Sequence, residues 1–205
     1  VKLNPLKLQG KLNKNGLALI IGINDYFYAP GAKYADKDAD FFADFSENTL
    51  GIKKENIKLI SNKNANITEI KKALKIWLKG YSTPDKSEIF IFFAGHGLAS
   101  TDGKDLYLLP YDGEPRLLED TALLRSEIFN SINNIKPKSV TVFLDTCYSG
   151  QTREKDMILN DARPISIVPL ESNVPENFTV FSASSGSEIS GSLPEANHGL
   201  FSYYI

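Results

Sequence analysis

The chain is poor in the residues that most specialised sites need. Its 205 residues include one cysteine, one methionine, one tryptophan and two histidines. A single cysteine excludes an internal disulfide and fits a reducing compartment. One Cys and two His cannot build an ordinary zinc site without several carboxylates. No apolar run approaches the ~20 residues that span a bilayer, and Val1–Pro5 lacks the apolar stretch of a secretory leader. No membrane partner and a cytoplasmic location are therefore expected. The net charge is −2 and no basic block stands out, which argues against nucleic acid as a partner. No G-x-x-x-x-G-K-[ST] occurs, and no dinucleotide glycine pattern, so a nucleotide- or flavin-binding α/β domain is disfavoured. No G-x-S-x-G supports Ser149 as a nucleophile. An initiator Met is also missing, so a fragment or processed form is expected.

What is present is a set of apolar runs that stop abruptly. Phe90–Ala94 ends at Gly95-His96-Gly97, and Val140–Leu144 ends at Asp145-Thr146-Cys147. Continuous apolar runs over 17–23, 89–94, 140–144 and 178–183 predict buried strands, with short strands at 57–60 and 106–109. Apolar spacing of three and four predicts helices over 34–50, stopped by Gly51, over 67–78, closed by Gly80, and over 123–135. Another opens at Leu200. On the same spacing Trp77, Tyr203 and Tyr204 are expected in the core. Strands alternating with helices predict an α/β fold, its largely parallel sheet covered on both faces. In such sheets function gathers at the strands' carboxyl ends, where His96 and Cys147 both fall. Residues 1–15 read as a polar arm before a single domain over 16–205, and 151–177 as a long aperiodic loop.

Seven segments, in order, carry a resemblance: Ala18–Tyr26 (ALIIGINDY), Tyr34–Ala39 (YADKDA), Phe93–Gly97 (FAGHG), Leu108–Asp112 (LLPYD), Leu144–Gly150 (LDTCYSG), Phe181–Ser184 (FSAS) and His198–Phe201 (HGLF). Together they resemble the caspase-like cysteine peptidases, on the metacaspase and bacterial caspase-homologue branch. His96 precedes Cys147 by about 50 residues, the separation seen in caspases. The Gln-Ala-Cys of animal caspases is replaced by Asp145-Thr146-Cys147. The resemblance implies a three-layer sandwich with a mostly parallel central sheet flanked by helices. It also implies a chain that continues past residue 205, as part of a larger protein.

The implied chemistry is that of a Cys-His dyad. Cys147 is the nucleophile, active as a thiolate, and His96 is the base that takes its proton and later protonates the leaving amine. By resemblance, the backbone N–H groups of Gly97 and Cys147 form the oxyanion hole. The resemblance also places Asp38, Asp145 and Ser182 in the pocket for the residue before the cleaved bond. Two carboxylates there favour Arg or Lys, so peptide or protein substrates with those residues are expected. His198 follows no buried strand and reads as a surface or helix-start histidine.

No cofactor is required for this chemistry. Some metacaspases need calcium, and Asp112, Glu114, Glu119, Asp120, Glu154 and Asp156 lie in expected loops, although no EF-hand pattern is present. Arg153, Lys155 and Arg163 in the long loop are candidate self-cleavage points. The rival reading is a non-catalytic interaction module on the same fold, because a fold alone does not establish activity.

Overall fold

A computed structural model describes residues 9–146, 148, 158, 174–183 and 192–205. Cys147, Gly150 and most of the 151–177 segment, with Arg153, Glu154, Lys155, Asp156 and Arg163, lie outside the described residues.

The elements are β1 (Gly16–Gly22), α1 (Ala35–Asn48), β2 (Ile57–Ser61) and α2 (Ile67–Lys72). A π-helical stretch (Ala73–Trp77) then leads into α3 (Leu78–Tyr81). Next come β3 (Glu88–Ala94), β4 (Gly97–Ala99), β5 (Leu106–Leu108), α4 (Leu118–Thr121), β6 (Leu123–Leu124), α5 (Arg125–Asn133) and β7 (Ser139–Asp145). The last are β8 (Phe178–Ser182), β9 (Ser192–Leu193), β10 (His198–Gly199) and α6 (Leu200–Tyr204).

Five strands form one parallel sheet in the order β2-β1-β3-β7-β8. Its inner strands read as continuous apolar runs because both faces are covered. Period-two alternation splits them. Leu17, Leu19 and Ile21, Ile89, Ile91 and Phe93, and Val140, Val142 and Leu144 pack with Ile70, Leu74 and Leu78 of the α2–α3 helix and with Ile128, Phe129 and Ile132 of α5. Ala18, Ile20 and Phe92 turn the other way, onto Ala35, Ala39 and Phe42 of α1. The result is the three-layer arrangement.

One close approach sets the site. A Cβ at Gly22 would fall 2.4 Å from Ala39 Cβ. The small pair lets the start of α1 press onto the carboxyl end of β1, and this brings Asp38 to that edge of the sheet.

The structure corrects several expectations. The segment over 123–135 is not one helix: Leu123–Leu124 pairs with β5, and the helix starts at Arg125. Gly80 does not close its helix. The helix runs to Tyr81 and is capped at Ser82, whose backbone N–H donates to the Leu78 carbonyl. Tyr204 is 78 % exposed rather than in the core, and Trp77 is half-buried at the rim. The described part of the arm is tied down, Gly10 N–H donating to the Asn48 carbonyl at 2.9 Å and Asn13 N–H to that of Gly51 at 2.9 Å.

Candidate active site

The carboxyl ends of β1, β3 and β7 lie in register, Gly22 opposite Ala94 and Ala94 opposite Asp145. Two residues past the end of β3, His96 is buried, 3 % exposed. Its ring stacks on Tyr26, centroids 4.6 Å apart and planes 29° apart. The Tyr26 hydroxyl accepts the His96 backbone N–H at 2.7 Å. His96 Nε2 lies 2.8 Å from the Pro30 carbonyl oxygen. A carbonyl only accepts, so that contact puts the proton on Nε2 and makes Nδ1 the basic nitrogen.

Both glycines beside His96 answer to contacts. Gly95 has φ +155°, and a Cβ there would meet the Tyr26 hydroxyl at 2.4 Å. A Cβ at Gly97 would lie 2.6 Å from Thr146 Oγ1 and 2.8 Å from Tyr148 Cδ1. The two residues covalently joined to Cys147 therefore both pack on Gly97. Tyr148 is buried, and burial pushes its hydroxyl up to about 12 although the nearby Arg125 guanidinium pulls the other way.

The two acids are both sealed from solvent, Asp38 and Asp145 each 0 % exposed. Asp38 lies in the first turn of α1. Asp145 is the last residue of β7 rather than part of the following loop. One short stretch of chain reaches both. Gly199 N–H donates to the two Asp38 oxygens at 3.1 Å each, and His198 Nδ1 lies 2.8 Å from Asp38 Oδ1. Three residues on, Ser202 Oγ–H donates to Asp145 Oδ2 at 2.6 Å. His198 is thus not a surface histidine: it is paired with a buried carboxylate, its ring edge-on to Phe41 with centroids 5.5 Å apart. Ser182, the last residue of β8, is exposed, one register step from the Asp145 position because it lies opposite Leu144.

Tyr26, Pro30 and Ser202 are contributors that sequence reasoning did not single out, and His198 was weighed there but given no partner. Tyr26 did sit inside a matching segment. Pro30 acts through a backbone carbonyl, which leaves no mark in residue type, and His198 finds its partner 160 residues upstream. Of the acids considered for calcium, Glu154 and Asp156 lie outside the described residues; among the described residues no group of three His, Cys, Asp or Glu could hold a metal ion. Asp112 instead supports the start of α2, its carboxylate accepting the Ile67 N–H at 2.8 Å beside the N-cap Asn66, whose side chain accepts the Glu69 N–H at 3.0 Å. Among the described residues no helix is long and apolar enough to cross a membrane.

A crystal structure of a Geobacter sulfurreducens protein, solved as a structural-genomics target, is similar at a TM-score of 0.54 and 20 % identity, over 67 % of this chain. The chain spans about half of that protein, 52 % of its length. The structure described as pro-sf-caspase-1 aligns over 97 % of this chain and 72 % of its own, at 11 % identity and a TM-score of 0.49. No curated protein is similar enough in sequence to count as a match. The family model described as "Caspase domain" matches residues 15–205, nearly the whole chain, which therefore belongs to the caspase-domain family of cysteine peptidase-like proteins.

Proposed function

We propose that this domain is a cysteine endopeptidase that cleaves after Arg or Lys, on the metacaspase side of its family. The observation that supports it best is the packing of Thr146 and Tyr148, the covalent neighbours of Cys147, on Gly97 beside a histidine whose Nε2 faces a carbonyl. His96 Nδ1 takes the Cys147 thiol proton, and the thiolate sulfur attacks the peptide carbonyl carbon. The Gly97 and Cys147 N–H groups hold the oxyanion. Collapse expels the amine, which takes the proton from His96 and leaves a thioester. Water, deprotonated by the same ring, then hydrolyses that thioester and regenerates the thiol.

Asp38 and Asp145 favour a cationic side chain before the cleaved bond, with Ser182 at the rim. The lone cysteine suits a reducing compartment such as the cytoplasm. A second reading of the acids has its own support. On that reading the two carboxylates, both bonded to residues 198–202, brace that segment instead of reading substrate.

Fluorogenic Arg, Lys and Asp peptides, each with and without calcium, separate these readings. Arg and Lys peptides should be hydrolysed, an Arg chloromethyl ketone should label Cys147, and Cys147→Ala or His96→Ala should lower kcat/KM by about a thousandfold or more. Absence of both turnover and labelling would leave a non-catalytic module. Asp145→Asn should raise KM for Arg peptides. A loss of stability with KM unchanged would assign the acids to bracing.

A further inference from the structure

The loop between β1 and α1 touches His96 twice, and the two contacts restrain different things. The Pro30 carbonyl meets one edge of the ring, 2.8 Å from Nε2. Tyr26 lies against the ring face, centroids 4.6 Å apart and planes 29° apart. A single hydrogen bond fixes one edge of an imidazole, and the histidine χ2 torsion is otherwise broad. A ring stacked on the face removes that remaining freedom.

The same side chain also holds the backbone that carries the imidazole. The Tyr26 hydroxyl accepts the His96 N–H at 2.7 Å. The chain enters that bond through Gly95 at φ +155°, a conformation that favours glycine, and a Cβ at Gly95 would fall 2.4 Å from the same hydroxyl. The hydroxyl thus sits in the space that the glycine leaves open.

A group that locks another must itself be locked. Tyr26 packs against all three buried apolar clusters: the sheet face under α2, α3 and α5, the face under α1, and a third that includes Leu98, Tyr107 and Leu109. The adjacent Phe27 N–H donates to the Tyr111 carbonyl at 2.9 Å. The base of the loop is tied across. The Asn24 carbonyl accepts the Ala32 N–H at 2.8 Å, and its Oδ1 accepts the Tyr34 N–H at 3.1 Å. Asn62 Oδ1 accepts the N–H groups of Asn24 and Asp25 at 2.8 and 3.2 Å.

We propose that Tyr26 is a positioning residue of the peptidase reaction, its ring setting the plane of the His96 imidazole and its hydroxyl setting the peptide beneath it. The role rests on the peptidase reading above. It differs from that of Pro30, whose carbonyl decides which nitrogen carries the proton, whereas Tyr26 decides where the other nitrogen points. Proton transfer tolerates little misplacement, and an error of about 1 Å can cost a hundredfold in rate.

Two variants divide the two contacts: Tyr26→Phe keeps the ring and loses the acceptor, and Tyr26→Leu loses both. With an Arg peptide, kcat and kcat/KM should fall together, about tenfold for Tyr26→Phe and at least about a hundredfold for Tyr26→Leu, with KM unchanged. Alkylation of the single cysteine by iodoacetamide, followed by mass spectrometry, should slow in both variants. The chain has two histidines, so ¹⁵N-histidine spectra are assigned with His198→Gln. His96 should carry its proton on Nε2 in the unaltered protein and in Tyr26→Phe, and should average between the two neutral tautomers in Tyr26→Leu. Melting curves establish that each variant is folded, and Tyr26→Phe, which keeps the packing, decides alone if Tyr26→Leu is not. Alkylation and spectra need no substrate. An unaltered protein without turnover therefore counts against the peptidase reading, while these two readouts still decide the placement of His96. The proposal is overturned by unchanged kcat or alkylation in Tyr26→Phe, by a rise in KM in place of the fall in kcat, or by a folded Tyr26→Leu that keeps the Nε2–H signature.

Discussion

Among the described residues Tyr148 carries the one buried side-chain polar atom without a hydrogen bond of good geometry, although the Arg125 guanidinium lies near enough to oppose the effect of burial. Burial raises its hydroxyl to about 12, so it stays protonated at neutral pH and still meets no acceptor there. An unmade buried hydrogen bond costs about 1–3 kcal/mol. Tyr148→Phe keeps the ring that packs on Gly97 and discards the orphan group. The variant is expected to match or exceed the unaltered protein by about 1 kcal/mol in denaturant unfolding; a loss of that size would mean the hydroxyl is bonded. At this scale legibility was uneven. His96 announced itself because an apolar run ended on it. The Pro30 carbonyl that fixes its tautomer had no such signal, since every residue has a carbonyl. His198 looked peripheral because a charge partner far upstream leaves no local periodicity.

At the scale of the element, the long strands were readable because burial on both faces demands unbroken apolar runs, and α1 because its Ala and Phe positions recur at helical spacing. Strands of two or three residues, β4, β6, β9 and β10, are too short for any pattern to repeat. Gly80 misled because glycine near a helix end usually stops it, whereas here Ser82 does so. Helix α1 also carries a conflict among like charges at i,i+4 spacing, to which the structure adds partial burial. Asp40 has its pKa raised, first by partial burial and then by Asp36 and Asp44 on adjacent turns. A raised folded-state pKa means stability is highest below the ordinary aspartate value of 3.8 and falls as pH rises through the folded value. At neutral pH the ionised Asp40 therefore works against folding. Because the group is largely in water, screening keeps the effect below about 1 kcal/mol. Asp40→Asn should be slightly more stable at pH 7, with the gain vanishing near pH 3 as measured by urea melts at both pH values. A stabilisation that grew toward acid would reverse the sign.

For the whole molecule, the alternation of strands and helices was enough to foresee the parallel sheet, and the carboxyl edge as the place where chemistry collects. What it could not foresee was how the last part of the chain returns to the first. Strand β8 lies in register with β7 over Val140–Leu144. Backbone bonds of 2.9 Å from Val140 to Asn177 and from Ala183 to Leu144 close both ends of that pairing. Gly199 and Ser202 then reach Asp38 and Asp145. Covalent continuity between residues 149 and 173 is thus not what keeps the terminal portion in place. Scission there, by the protein itself or by added trypsin, should yield two polypeptides on a denaturing gel that still elute together as one particle of unchanged size. Separation of the halves under native conditions would mean that the peptide connection, rather than sheet pairing, joins them. Halves that stay paired after scission would make severance an irreversible signal for this domain.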